Sequence, residues 1–303
     1  MSGRPPDTVR KNHPLAGLAT VRTGGHAEWF ARAGSESELR ELLEWARGAA
    51  IEVNVVGSGS NLLVADEGVR GLVLKLDRRL AAIELDGASL LCGGGARLPS
   101  VAAQAARSGL SGIEFGVNIP GTVGGAVRMN ANAYGGALAR VLEWAEVVSA
   151  SGSQRRLPGE FGFAYRTSNL RAGEIVASAR FTLIRSDPQV VKATLERMRA
   201  RRHEAQPQAI KTFGSTFKNP EDPAAEGRTA GLLLSEAGCN GLAVGGARFA
   251  PKHANFIENT GAASTADVVA LMAEGRRRVL ELFGVALEPE VQTLGAVRFP
   301  WAS

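Results

Sequence analysis

Apolar residues recur along this chain with two different periods. In residues 35–47, SESELRELLEWAR, the residues Leu39, Leu42, Leu43 and Ala46 fall on one stripe of a 3.6-residue repeat. That predicts an amphipathic helix, with Ser35 as its cap and Glu38 completing a capping box. A β-branched run at 53–56 predicts a strand, GLVLKL at 71–76 a second, and the alternation across 83–91 a third. Residues 99–108 read as a helix with Pro99 in its first turn. Strands return at 144–149 and, after a polar turn at 150–153, at 175–184. Asp187-Pro188 is the clearest break: Asp caps and Pro opens a helix through VVKATLERMRARR. The domain junction is placed there, giving one domain over 1–187, itself split near 76–80, and a second over 188–303. The second carries a helix near 228–237 stopped by Gly238, another from Thr265 or Asp267 to Gly284, and a strand at 290–297. Strands and helices are interspersed without a βαβ rhythm, which is the pattern of an α+β protein.

Composition narrows the class. Of 303 residues, 45% are hydrophobic and 21% charged, which suits a soluble globular chain. No apolar run reaches the ~18–20 residues of a membrane span, and the segment MSGRPPDTVRKNHPL lacks the apolar core of a signal peptide. A cytoplasmic protein is expected. Cys92 and Cys239 are the only cysteines, far apart, so reduced thiols are expected rather than a disulfide framework. No CxxC, HExxH or His/Cys cluster points to a metal. The net charge is +5 and, with six lysines, 29 of the 35 basic residues are arginines. Arginine suits phosphate and carboxylate recognition, although a solvated surface is the preferred account of the count. The densest group, Arg197, Arg199, Arg201, Arg202 and His203, lacks the interleaved aromatics of a nucleic-acid platform.

Two glycine-rich segments carry candidate chemistry. In VVGSGSNLLVADEG a strand runs into Gly57 and Gly59, with Ser60 and Asn61 after them. Such a turn can present consecutive N–H groups to a diphosphate; a tight hairpin is the alternative. The third glycine of a dinucleotide fingerprint is absent, since Leu62 stands there. The second segment is Ile119-Pro120-Gly121-Thr122-Val123-Gly124-Gly125, ending in Met129-Asn130-Ala131, where Asn130 offers amide contacts. Glycines there leave room for a flat or anionic group against the backbone. Three short islands follow, around Arg166, Ser215 and Glu290, and spacing alone does not join them.

Read in order, VRTGGHAEWF, VGSGSNLLV, GIEFGVNIPGTVGGAVRMNANAYG, FAYRTSN, GSTFKNP, PKHANFIENTG and FGVALEPEVQTLG resemble the UDP-N-acetylenolpyruvoylglucosamine reductase family from about Val21 to Gly295. The resemblance implies an FAD-binding domain of the vanillyl-alcohol-oxidase type and a smaller C-terminal domain that binds a UDP-sugar and returns its last segment to the flavin site. It implies non-covalent FAD, contacted by Val56, Gly57, Ser58, Gly59, Ser60, Asn61, Ile119, Pro120, Gly121, Thr122, Gly124 and Gly125. Arg166 matches the arginine that contacts the substrate carboxylate, Ser215 the proton donor, and Glu290 the glutamate that stabilises the enol intermediate. Lys218, Asn219 and His253 match substrate-facing positions; Asn255 lies in the same motif as His253 without a role of its own. Asn132 stands where glycine is common and Ala250 where serine is common. The 49-residue gap from Arg166 to Ser215 matches the shorter subtype, which lacks the lid loop with a substrate-touching tyrosine.

The implied reaction is NADPH-dependent reduction of UDP-N-acetylglucosamine enolpyruvate to UDP-N-acetylmuramate in peptidoglycan precursor synthesis. Hydride passes from flavin N5 to the vinyl carbon distal to the ether, and a serine protonates the enol intermediate. Glu290 helps only if it carries a proton, so burial is expected to raise its pKa. A monomer is expected, with no nucleic-acid or membrane partner. Two other readings stand beside this one. One is an FAD oxidase or dehydrogenase that tethers its flavin through His26 or Cys92. The other is a non-enzymatic nucleotide- or nucleic-acid-binding protein using the basic cluster at 197–203.

Overall fold

The structure, a computed structural model, describes residues 4–301. The chain divides into two compact units. The first contains the chain up to Lys11, Trp29–Ser58 and Gly71–Arg202; the second contains Asn12–Glu28, Gly59–Arg70 and the chain from His203 onward.

The first unit is built on a five-stranded antiparallel sheet in the order Gly152–Arg156, Leu142–Ser149, Ile175–Thr182, Ser89–Gly93, Ile83–Asp86. The alternation at 83–91 is thus a hairpin, not one strand. Gly87-Ala88 makes the turn, with Gly87 at φ 63°, a left-handed conformation that glycine adopts without a Cβ penalty. Helices α1 (Glu36–Gly48), α2 (Leu98–Arg107) and α3 (Val123–Arg128) lie in this unit. The α1 stripe Leu39, Leu42, Leu43 and Ala46 packs with Leu72, Leu74, Val148 and Ile175. Leu98, Val101, Val123 and Val127 pack with Phe161, Phe181, Ala179 and Val147 in a separate core. Sheet register moves from Glu146–Ser178 to Val147–Val176, leaving Ala177 as the extra residue of a bulge. The bulge lets Ile175 and Ala177 serve one core while Ala179 and Phe181 serve the other. Val53–Val55 runs parallel to Val69–Leu76 in a second sheet.

Helix α4 (Pro188–Ala205) starts as the sequence predicts, with the Asp187 carboxylate accepting from Gln189 N at 2.8 Å. Its apolar residues Val191 and Leu195 pack on Ala102, Ala106 and Val117. That packing keeps the helix in the first unit, and the division falls after Arg202 rather than at Asp187. At α1, Ser35 accepts from Glu38 N as expected, but the Glu38 carboxylate accepts from Gly34 N at 2.7 Å instead of closing the box on Ser35.

The second unit holds α5 (Ala230–Glu236), α6 (Thr265–Phe283) and an antiparallel sheet ordered Ala243–Val244, Ala247–Phe249, Ile257–Asn259. Gly275 lets α6 approach the sheet: a Cβ there would lie 2.7 Å from Phe249 Cζ. Gly284 ends α6 at φ 72°. Leu62–Val64 pairs in parallel with Gln292–Leu294. The segments flanking the Gly57–Gly59 turn thus join separate sheets, so the turn is not a hairpin. The architecture is α+β, as the sequence predicts. Among the described residues no helix is long and apolar enough to cross a membrane, and no cluster of His, Cys, Asp and Glu is arranged to hold a metal.

Candidate active site

In the first unit a cleft of about 470 Å³ opens where the two glycine-rich segments meet. Val56, Gly57, Ser58, Thr122, Gly124 and Gly125 line it. Gly57 is required by close approach, since a Cβ there would sit 2.6 Å from Thr122 Oγ1. Thr122 caps α3 by accepting from Gly125 N at 3.4 Å. Ile119, Pro120 and Gly121 do not line the cleft; they form the loop leading to it, fastened where Leu98 N donates to Gly121 O at 3.0 Å. Five basic side chains that sequence reasoning missed also line it: Arg32, Lys75, Arg78, Arg97 and Arg128. Burial, then the charges of Arg32 and Arg97, hold the Lys75 ammonium below its ordinary pKa, and burial does the same to Arg128. The Arg128 guanidinium donates to the carbonyls of Leu170 and Arg171, each at 3.1 Å.

Arg166 belongs to the same unit, at the tip of a two-residue turn closed by the Ala164–Thr167 bridge. Its φ is 58°, which fixes the direction of the side chain at some conformational cost. Nη1 donates to Asn132 O at 3.2 Å, and the guanidinium lies 5.4 Å from the Tyr165 ring centroid. The Asn130 amide is occupied here: Nδ2 donates to Ala164 O at 3.1 Å and Oδ1 accepts from Ala139 N at 3.3 Å. Ser168 Oγ donates to Arg128 O at 2.7 Å, so the Arg166 turn is tied to the segment that ends α3.

The second unit brings Ser215 and Glu290 together. Ser215 forms a bridge with Phe256, Thr216 O accepts from Glu290 N at 2.9 Å, and Phe217 forms a bridge with Pro289. Gly214, at φ 85°, makes the turn before Ser215, as its position suggests. Asn255 is the residue whose role the sequence did not disclose. Its Oδ1 accepts from Phe217 N at 2.9 Å, its Nδ2 donates to Phe217 O at 2.8 Å, and its carbonyl accepts from Thr216 N at 2.8 Å. Asn61 acts similarly on the other segment, donating from Nδ2 to Glu290 O at 3.2 Å and accepting Gln292 N at 3.1 Å. Gly59 and Ser60 belong to this unit as well. Gly59 O accepts from Thr20 N at 3.0 Å.

Of the remaining expected contacts, Lys218 pairs with the exposed Glu288 at 3.2 Å. Asn219 Oδ1 accepts from Ala230 N at 3.2 Å, steadying the start of α5. His253 Nδ1 accepts from Asn255 N at 3.2 Å, and its ring meets Phe256 edge-on at 4.9 Å. Burial holds the imidazole below its ordinary pKa, so the ring sits in its neutral form. The Cys92 thiol is fully buried within its strand, and burial pushes its pKa up to about 12. It is therefore no nucleophile for tethering a flavin. His26 is exposed at the start of its strand and does not line the cleft.

The chain is 43% identical over 300 residues to UDP-N-acetylenolpyruvoylglucosamine reductase 2 of Symbiobacterium thermophilum, an alignment covering 98% of this chain and 95% of that protein. The chain belongs to the UDP-N-acetylenolpyruvoylglucosamine reductase family. Another member, from Novosphingobium aromaticivorans, is 43% identical over 303 residues, covering 97% of this chain and 99% of that one. Residues 206–294 match the family model for the C-terminal domain of the reductase, and residues 27–158 match that of an FAD binding domain. The solved reductase from Thermus caldophilus superposes with a TM-score of 0.82 at 36% identity, covering 94% of this chain and 99% of that one.

The first-unit cleft fits FAD, the cofactor of a reductase with such a domain. Its wall includes Val56, Leu76, Ile83, Ile175 and Val176, suited to a flat ring. Among the described residues, the carboxylates that line it are those of Asp77 and Glu174, and both are engaged. The hydrogen bond from Arg156, with the Arg171 backbone N–H, holds the Glu174 carboxyl below its usual pKa, and Asp77 caps Arg79 N at 3.4 Å. Crowded cations without a spare anion match a diphosphate.

Proposed function

We propose that this protein reduces UDP-N-acetylglucosamine enolpyruvate to UDP-N-acetylmuramate, with NADPH as electron donor, as a step of peptidoglycan precursor synthesis. The observation that carries the reading is the close pairing of the Ser215 and Glu290 backbones through Thr216, in a chain with an FAD-binding domain. Bound FAD supplies the chemistry of accepting a hydride from NADPH and yielding it to the substrate's vinyl carbon. The chain's own residues handle charge and protons. Arg166, set at the tip of its turn, is the cation for the substrate carboxylate as negative charge builds there. Glu290 is the hydrogen-bond donor that stabilises the enol intermediate, which requires it to carry a proton in the complex. Ser215 donates a proton to the carbon bearing the ether oxygen, completing addition of one hydride and one proton across the double bond. Lys218 is offered to the phosphates of the sugar nucleotide, while Asn219 and His253 support the surrounding turns. The reading is of a cytoplasmic monomer holding FAD non-covalently.

The test separates the two half-reactions by anaerobic stopped flow. NADPH should bleach the flavin, and the enolpyruvyl substrate should restore its colour without oxygen. Ser215→Ala should leave the bleaching nearly intact and slow the restoration by roughly 10²–10⁴-fold, the span of a positioned acid. An unchanged second half-reaction removes Ser215 as the proton donor. If only oxygen restores the colour of the wild-type protein, an oxidase replaces the reductase.

A further inference from the structure

Lys75 emerges from the strand Val69–Leu76, which pairs in parallel with the strand that leads into the Val56–Ser58 turn. Val56 N donates to Leu74 O at 2.9 Å, so the turn is pinned one residue away from Lys75. The ammonium donates to the Gly57 carbonyl at the edge of the cleft. That carbonyl is a neutral acceptor. The fixed charges acting on Lys75 are cations, Arg32 and Arg97, and the two carboxylates lining the cleft are engaged by other groups. Lys75 is half-buried, and a half-buried ammonium among guanidinium groups is held at a cost that an anion in the cleft removes.

We propose that Lys75 is the ammonium with which this cleft engages the diphosphate of its dinucleotide, and that it is what separates FAD from unphosphorylated flavin. The inference rests on the FAD reading of the cleft. Other candidates are placed less well for this task. The Arg128 guanidinium gives two of its five N–H groups to the Leu170 and Arg171 carbonyls, which turns its fork toward that backbone, and Arg32, Arg78 and Arg97 are exposed, where their charges are more strongly screened. Lys75 combines partial burial, a fixed direction through Gly57 and three donors on one nitrogen, two of which remain after the bond to Gly57. The Gly57 bond therefore aims the ammonium without exhausting it.

The test uses the full chain stripped of flavin and titrated with FAD, riboflavin or UDP, followed by flavin fluorescence or, for UDP, calorimetry. Lys75→Met should raise the FAD Kd about 10- to 100-fold, the loss of one charge-assisted bond. The riboflavin Kd should move less than about twofold. Lys75→Gln keeps a donor for Gly57 and removes the charge; it should behave as Lys75→Met does. Lys75→Arg should recover most of the FAD affinity, and matching circular dichroism spectra identify the variants that are folded. The proposal is overturned if Lys75→Gln binds FAD as the wild type does, since the bond to Gly57 would then be all that matters. It is overturned equally if FAD and riboflavin weaken by the same factor, or if only UDP binding changes. A wild-type protein that takes up neither flavin overturns the FAD reading itself, and the proposal with it.

Discussion

Removing the side chain of Asn255 should loosen the strand that carries Ser215, and the size of the effect can be worked from its bonds. Asn255 is 4% exposed, and Phe217, to which its amide bonds twice, is 0% exposed. Asn255→Ala leaves the N–H and the C=O of Phe217 without partners in a buried place. Each orphaned group costs about 1–3 kcal/mol, so the pair costs about 2–6 kcal/mol. With a urea m-value of about 2 kcal/mol/M, the unfolding midpoint of the second unit should fall by about 1 M or more. Asn255→Asp sharpens the test because its shape is unchanged. A protonated carboxyl can still donate to Phe217 O, whereas a carboxylate faces that oxygen with no proton. The folded state therefore favours the protonated form and raises this carboxyl's pKa above its unfolded value. Stability from the bond is present below the unfolded pKa and is lost as pH rises through the folded one. Urea melts followed by near-ultraviolet circular dichroism between pH 4 and pH 8, buffers chosen at about unit spacing, should show Asn255→Asp nearing the wild type at the acid end. Asn255→Ala should keep a constant deficit. A wild-type midpoint for Asn255→Ala, or a pH-independent deficit for Asn255→Asp, refutes the claim that this amide carries the Thr216–Phe217 backbone.

Three further outcomes are expected. Glu290→Gln keeps a neutral hydrogen-bond donor and should lose less turnover than Glu290→Ala, by about tenfold or more; equal losses in steady-state assays argue against a donor role. Burial depresses the His253 pKa in the folded protein, so this group's contribution is complete above its unfolded value of about 6.5 and is lost as pH falls through the lower folded value. The thermal midpoint should therefore drop between pH 7.5 and pH 5.5 by roughly a few degrees more in the wild type than in His253→Asn, which keeps an acceptor for Asn255 N; identical drops remove the assignment. Burial pushes Cys92 up to about 12 and Cys239 to about 11, so iodoacetamide near neutral pH should label neither thiol before unfolding, and mass spectrometry of native protein should find no adduct.

The helices were legible wherever a local signal coincided with packing. The α1 stripe and its Ser35 cap, the Asp187-Pro188 start of α4 and the Gly284 stop of α6 all lie within a turn or two of the residues they govern. Strands were read where an apolar run or alternation stands out, as at 71–76 and 175–184, and missed where it is short or broken, as in the buried His26–Ala33, Leu62–Val64, Ala247–Phe249 and Ile257–Asn259. Gly152–Arg156 is an edge strand, pairing on one side only with Leu142–Ser149. Its sequence GSQRR has no apolar alternation, because no face of it is buried in a core. The hairpin at 83–93 was read as one strand because both arms keep the alternation and the Gly87-Ala88 turn interrupts it for two residues only. The end of the first unit carries a different kind of signal. Pro188 marks a helix start, and only the packing of Val191 and Leu195 on Ala102, Ala106 and Val117 says which unit that helix belongs to.

The candidate site divides along the same line. Glycine turns announce themselves because the constraint is local: Gly57 must pass close to Thr122, and Gly214 must take a positive φ. Charges that converge from separate elements give no such signal. Arg32, Lys75, Arg97 and Arg128 come from two strands, a loop and a short helix, in a chain where 29 arginines make any single one unremarked. What distinguishes Lys75 is where its strand sets it, beside a turn whose carbonyl accepts its hydrogen bond and among cations that repel it. Asn255 is the converse, since its motif is conspicuous but its purpose depends on a partner 38 residues away. A serine is a weak acid, and its usefulness depends on being aimed at one carbon each time. The groups that do the aiming are Asn255, whose carbonyl accepts from Thr216 N and whose side-chain amide bonds the Phe217 backbone, together with the bond from Glu290 N to Thr216 O. Those bonds tie the proposed proton donor and the proposed enol partner to one short stretch of chain, so a displacement of either is felt by both.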